Sequence, residues 1–288
     1  MTNLLHRFLF DDLDIRGAIV RLDSVWQQLL AGRDYPPPVL ELLGPLVATS
    51  VLLADNLKQP GRITLQLRGE GPISLLLVDC NEELNLRGMA RYAEDIESKA
   101  PAELLGRGQI LLSLDRASLR EPQQSFVPLE GESIASIFEH YLAQSEQLTS
   151  RFFLAVSPTA VAGLFLQKMP ESAALHDSDA WTRIEALAAT TTSDELLTLP
   201  AQTLLTRLFH QEPIRLFEAQ PVTHNYPYDW EKVRNMLRTL GREEVYSNLQ
   251  ERGAILICDE LSNHEYRFDK AAIDELFSNV PETPSSIH

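Results

Sequence analysis

The chain has 288 residues, 44% of them apolar, and its 41 acids against 25 bases give a formal charge of −16. That balance argues against a phosphate-binding surface, because nucleic-acid affinity comes largely from Lys and Arg releasing counterions; it suits a soluble chain kept dispersed by self-repulsion. The length predicts one large domain with a small one, and two cysteines, Cys80 and Cys258, are too few for a disulfide framework.

Met1–Phe10 is rich in apolar residues, but Asp11, Asp12 and Asp14 follow at once with no small-residue cleavage site. It does not read as a leader, and a cytoplasmic location is expected. The three aspartates read as a solvated loop, not as acid/base groups. Segment 38–57 reads as a helix apolar on most sides (Val39, Leu42, Leu43, Leu46, Val47, Val51, Leu52), hence buried. Pro45 is expected to kink that helix or mark its start. Its longest apolar stretch, Leu42–Ala54, falls short of the roughly 20 residues that span a bilayer.

Strands follow. In Arg62–Arg68, Ile63, Leu65 and Leu67 alternate with polar residues, the period-2 mark of a sheet with one wet face. Ile73–Val78 and Leu84–Arg91 complete a three-strand antiparallel meander. Further strands are predicted at Gln109–Leu114, Phe126–Leu129, Phe152–Val156 and Gly163–Lys168. Between them Ile134, Ile137, Phe138, Tyr141, Leu142, Ser145 and Leu148 recur at three- and four-residue steps, one helical stripe. The fold class is therefore α+β, a mixed sheet-and-helix core rather than a βαβ array. Later, Ala173–Ser178 is loose and polar. Trp181, Ile184, Leu187 and Ala188 outline one helix, and Pro200 opens another with Leu204, Leu205, Leu208 and Phe209 inward.

Several segments resemble, in order, the 33 kDa chaperonin family of redox-switched heat-shock holdases. They are Gly69-Glu70-Gly71-Pro72, Leu86-Arg87-Gly88-Met89-Ala90-Arg91, Glu130-Gly131-Glu132 with the helix through Tyr141, Ser145-Glu146-Gln147-Leu148, Arg151-Phe152-Phe153, Gly163–Pro170 and Thr192–Pro200. The resemblance implies a core domain over 1–172, a helical linker region over 173–222, a small C-terminal α+β switch-like domain over 223–280 and a disordered tail over 281–288.

The family's switch domain carries Cys-x-Cys and, about thirty residues on, Cys-x-x-Cys, which hold one zinc on four thiolates. Leu237-Arg238-Thr239-Leu240 and Glu243-Glu244-Val245 resemble the stretch between those pairs, placing the first pair on Tyr226 and Tyr228. Tyr266 and Phe268 resemble the strand after the second pair, which falls on Asp259 and Ser262 or, shifted by one, on Cys258 and Leu261. Neither register restores two thiols, so the resemblance implies a member without zinc ligands or a thiol trigger. His224, Cys258, Asp259 and His264 are metal-binding types near those positions, but none has the short spacing of a known site. Cys258 reads as a small buried apolar residue and the histidines as surface groups. The tail must then fold on its own core, for which Trp230, Val233, Met236, Leu237, Leu240, Val245, Leu249, Ile255, Ile257, Tyr266, Phe268, Ile273, Leu276 and Phe277 are candidates. Asp229 and Asp269 read as helix N-caps, and Gly241 as the residue ending a helix.

No phosphate-binding glycine loop, Gly-x-Ser-x-Gly elbow, His-Glu-x-x-His or Cys-x-x-Cys occurs. His140, beside the helical stripe, reads as structural. No catalytic residue, cofactor or enzyme activity is expected. By resemblance the chain is an ATP-independent holdase that captures unfolding client proteins on apolar surface of the core and linker, not controlled by cysteine oxidation or zinc. Neither nucleic acid nor membrane is an expected partner; homodimerisation, the trigger and the client-binding residues stay open. The alternative is a non-chaperone adaptor for one cytosolic protein partner.

Overall fold

The computed structural model describes residues 3–57, 61–96, 100–116, 121–129, 131–170 and 177–278. The expected loose stretch at 173–178, save its last two residues, and the expected tail at 281–288 lie outside them. The chain divides into two compact units, Met1–Asn225 and Tyr226–His288.

The large unit is built on two antiparallel sheets and a buried helix. The first sheet contains β1 (Leu4–Phe10), β2 (Ile15–Leu22), β8 (Ser150–Val156), β9 (Val161–Lys168), β10 (Ile214–Leu216) and β11 (Gln220–Pro221), in the order β10-β1-β2-β9-β8 with β11 also on β1. The second contains β3 (Arg62–Gly69), β4 (Ile73–Cys80), β5 (Leu86–Tyr92), β6 (Gly108–Asp115) and β7 (Gln123–Pro128), in the order β5-β4-β3-β6-β7. The expected meander is thus β3-β4-β5. β5 starts two residues late because Leu84 takes φ +56° in a turn held by the Asn81 side chain, which accepts from the Glu83 and Asn85 amides. β7 starts three residues earlier than its apolar pattern suggested.

The helices are α1 (Ser24–Leu30), α2 (Pro37–Asp55), α3 (Pro101–Leu105), α4 (Ile134–Ser145), α5 (Ala180–Ala188), α6 (Ser193–Thr198) and α7 (Ala201–Leu208). α2 packs against strands of both sheets, which is why it is apolar on nearly every side. Its 19 residues are long and apolar enough to cross a membrane, yet most are buried inside the fold. Pro45 lies within α2, and the helix starts earlier, where Pro37 and Pro38 need no N–H partner. Gly44 permits the close approach: a Cβ there would stand 2.4 Å from Val156 Cγ2 and 3.0 Å from Val161 Cγ2. α4 opens on a Ser133–Ser136 capping box and ends at Ser145, short of Leu148, because Gln147 turns to φ +56°. Leu148 still packs on the core from beyond the helix.

β9 is buried on both faces: one meets α2, and the other joins the cluster formed with α5, α6 and α7. Phe8, Phe10, Ile15, Ile19, Leu164 and Leu166 supply the sheet side of that second cluster, and Ile184, Leu196, Leu204, Leu205, Leu208 and Phe209 the helical side.

The small unit comprises α8 (Trp230–Leu240), α9 (Arg242–Arg252), the hairpin β12 (Ile255–Asp259) and β13 (His264–Phe268), and α10 (Lys270–Ser278). Asp229 and Asp269 cap as expected, accepting from the Lys232 amide at 2.9 Å and the Ala272 amide at 2.9 Å. Gly241, at φ +92°, ends α8 and leads directly into α9. The core is Val233, Leu237, Val245, Leu249, Tyr266, Phe268, Ile273 and Leu276. Three expected core members, Trp230, Met236 and Leu240, are instead exposed: Trp230 covers the rim of the cluster against Tyr266 and Phe268, and Met236 and Leu240 form a second apolar edge of α8.

Candidate functional site

The positions that invite functional reading lie in the small unit and on exposed apolar side chains. Tyr228 stacks flat on His264, with centroids 4.1 Å apart and 9° between the planes. It meets Tyr266 edge-on at 5.3 Å. Trp230 packs edge-on against Tyr266 at 5.0 Å and Phe268 at 5.7 Å. Such offset and edge-on pairs contribute about 0.5–1.5 kcal/mol each beyond area burial. The Tyr266 hydroxyl reaches through the group to accept the Asp229 amide at 2.8 Å. Tyr226 is half-buried at the start of this unit.

Across the hairpin, Asp259 and His264 are direct strand partners. The Asp259 carboxylate accepts from the Leu261 and Ser262 amides at 3.0 and 3.4 Å, closing the turn. Burial would push this carboxyl up, but bonds from the Ser262 hydroxyl and those two amides, with the Lys232 charge, outweigh it and hold the carboxyl below its ordinary range. Ser262 is buried. The two candidate registers thus place different groups on different faces. Asp259 faces the turn, whereas Cys258 is exposed on the outer side of β12 beside Glu265. Cys258 is therefore not the buried apolar filler its residue type suggested; strand alternation turns it outward. The histidines are not surface groups either. His264 is half-buried under Tyr228, and the His224 Nδ1 bonds the Leu86 carbonyl at 2.8 Å.

Tyr226 and Tyr228 with Asp259 and Ser262, or with Cys258 and Leu261, offer at most one sulfur. Among the described residues no three of His, Cys, Asp and Glu converge on a point where a metal could sit. The donor set does not fit a tetrahedral thiolate zinc site.

Large apolar side chains stand open to solvent in both units: Phe126 and Phe217 in the large one, Tyr228, Trp230, Met236, Leu240 and Leu256 in the small one. Within the small unit, Met236, Leu240, Val245, Ile255 and Leu256 line a shallow groove of about 150 Å³. Within the large unit a cleft of about 340 Å³ runs between Pro45, Ile134, Phe152, Leu154 and Leu196. Among the described residues neither is lined by a His, Cys or Lys. Asp11 pairs with Arg215 at 2.8 Å, and Glu139, next to His140 on α4, accepts the Phe152 amide at 2.7 Å. The aromatic stack escaped sequence reading, although the i, i+2 spacings Tyr228, Trp230 and His264, Tyr266, Phe268 were its available signal.

A family model described as Hsp33 protein matches residues 3–269. The chain is 41% identical over 275 residues to the 33 kDa chaperonin of Methylobacillus flagellatus, covering 95% of this chain and 94% of that one. It is 40% identical to the 33 kDa chaperonin of Chromobacterium violaceum, covering 95% and 93%. A crystal structure of the 33 kDa chaperonin of Thermotoga maritima shares the fold, with a TM-score of 0.78 at 22% identity over 95% of this chain and 97% of that one.

Proposed function

The chain belongs to the Hsp33 family, and from that premise we propose that it is an ATP-independent holdase which captures unfolding cytoplasmic proteins without a zinc or thiol switch. The observation that carries the reading is the set of exposed large apolar side chains, Phe126, Phe217, Trp230, Met236, Leu240 and Leu256, on a strongly acidic chain. Met236, Leu240 and Leu256 line one groove, and contiguous exposed apolar surface marks interaction sites, while net charge keeps the loaded protein dispersed. The missing phosphate-loop glycines support independence from nucleotide.

Freedom from redox control rests on the small unit. A structural zinc contributes about 10–16 kcal/mol to folding a small metal domain. On this reading Tyr228 stacked on His264, the Asp259 turn and the eight-residue core do for the small unit what that ion does in the family. With no thiolate pair to oxidise, peroxide has nothing to release. We assign no catalytic role to the chain, and clients are its partners.

The test is aggregation of a heat-unfolded client enzyme, followed by light scattering with the reduced or the peroxide-treated protein, with and without ATP. Equal protection in all four conditions is the expected result. Protection only after peroxide, or zinc at one per chain by elemental analysis, refutes the switchless reading. No protection with one dominant partner in a pull-down replaces the holdase with an adaptor.

A further inference from the structure

The large unit guards its sheet edges, with one exception. The outer edge of β5 is bonded at successive positions: the Leu86 amide donates to the Thr223 carbonyl, the Leu86 carbonyl meets His224 Nδ1, the Gly88 carbonyl accepts from Arg33, and the Ala90 amide donates to the Tyr35 hydroxyl. On β8 the Phe152 amide is taken by Glu139. β10 and β11 have three and two residues. β7 is protected less: α4 packs against it with a hydrogen bond between Tyr141 and Ser125, and Pro128 ends it, but among the described residues its backbone edge is left unbonded. Among the described residues it pairs only with β6, and no side chain bonds its outer edge. Its six residues, Gln123 to Pro128, carry no charge. Natural edge strands are blunted by charge, brevity or cover, because an open ladder of N–H and C=O groups recruits another strand.

The side chains on β7 divide by face. Val127 points inward, in register with buried Ile110, Leu67 and Leu76. Phe126 points outward and ends a row in direct register across the sheet, Met89, Leu77, Gln66, Leu111 and Phe126. Exposure rises along that row, from buried Met89 through half-buried Leu77 and Leu111 to Phe126 at 62%.

We infer that β7 is a strand-addition site that pairs with an extended segment of an unfolding polypeptide, whose alternate apolar side chains continue the row beyond Phe126. The inference rests on the holdase reading and names where a client is held. The occupant follows from the chemistry: alternating donors and acceptors along one line are met only by an extended peptide backbone. A second copy of the chain is disfavoured by size. A six-residue strand is about 20 Å long, and with one exposed aromatic it falls well short of the roughly 1,000 Å² of a stable interface. A short, transient partner fits.

The test uses the full chain and a fluorescein-labelled, end-capped nonapeptide alternating valine with threonine and glutamate. The expected result is saturable binding, slower hydrogen exchange at 123–128, and at least fivefold weaker binding in both Phe126→Lys and Gln124→Lys. Both positions are exposed, so the variants should fold. The same peptide methylated on alternate backbone nitrogens should not bind. No binding, equal binding of the methylated peptide, or indifference to both lysines overturns the site. So does protection of 123–128 that grows with protein concentration alone, which would put a second copy on the edge. Client protection in the aggregation assay separates the two readings. Unchanged protection by Phe126→Lys removes the edge and leaves the holdase; peptide pairing without client protection does the reverse.

Discussion

Ile273→Ala tests whether the small unit folds on its own apolar interior. Ile273 is fully buried in α10, among Val233, Leu237, Val245, Leu249, Tyr266, Phe268 and Leu276. The substitution removes three carbons, worth about 0.8 kcal/mol each in transfer, and leaves a cavity that brings the loss to about 3–4 kcal/mol. A unit of this size without a staple holds only about 3–5 kcal/mol. If it starts near 4, the open fraction rises from about one in a thousand to roughly a third (1.4 kcal/mol per factor of ten). Hydrogen exchange read by mass spectrometry should show amides of α8, α9 and α10 exchanging several hundredfold faster. Peptides from β3, β4 and α2 serve as the internal control, and chelator should change nothing in either protein. Acceleration below tenfold would refute the argument, as would chelator alone reproducing the effect in the unmodified chain.

Three further outcomes are expected. Tyr266→Phe strips the hydroxyl that accepts the Asp229 amide, and should cost about 1 kcal/mol in a denaturant melt of the small unit; no measurable loss would mean the bond contributes nothing. Hydrogen bonds from the Arg207 guanidinium, then from Thr192, hold the Glu195 carboxyl down to about 2. Because the folded value lies below the ordinary 4.5, this contribution is complete above 4.5 and vanishes as pH falls through about 2. Glu195→Gln should therefore melt below the unmodified chain at pH 6, with the gap closing toward pH 2, and a gap constant with pH contradicts the pairing. Finally, Cys80 is buried and burial pushes its thiol far up, with the Asp79 charge adding to the effect, whereas Cys258 is exposed. A colorimetric thiol reagent should count one sulfur in the native chain and two in denaturant; two in the native chain would show that Cys80 is accessible.

The parts of the fold readable from sequence were those with a single clean period or an unbroken apolar run. α4 and the β3-β4-β5 meander each bury one recurring pattern, while α2 and β9 show as continuous apolar stretches. β1 and β2 were missed for the opposite reason. β1 sends Leu5 into one cluster and Phe8 and Phe10 into another, while Gly17, Ala18, Ile19 and Val20 of β2 are all buried. A strand covered on both sides has no alternation to detect. β10 and β11 are too short for any pattern and exist through their pairing with β1. In the small unit the tyrosines at 226 and 228 could be placed by resemblance. The Tyr228–His264 stack could not, since it depends on hairpin register, and the outward turn of Cys258 follows from the same register. The edge caps on β5 join Arg33, Tyr35, Thr223 and His224 from distant parts of the chain, so the contrast with β7 emerges only in three dimensions.

The pairing of β1 with β10 and β11 has a bearing on birth at the ribosome. β1 can pair early with neighbouring β2, but its other edge waits for partners roughly 200 residues behind it, a very non-local closure for a single unit. Until Ile214–Pro221 has been synthesised, Leu4–Phe10 has a bare flank, and until α7 arrives the aromatic face of Phe8 and Phe10 lies open. The nascent chain thus passes through a long stage in which apolar surface destined for its own interior is uncovered.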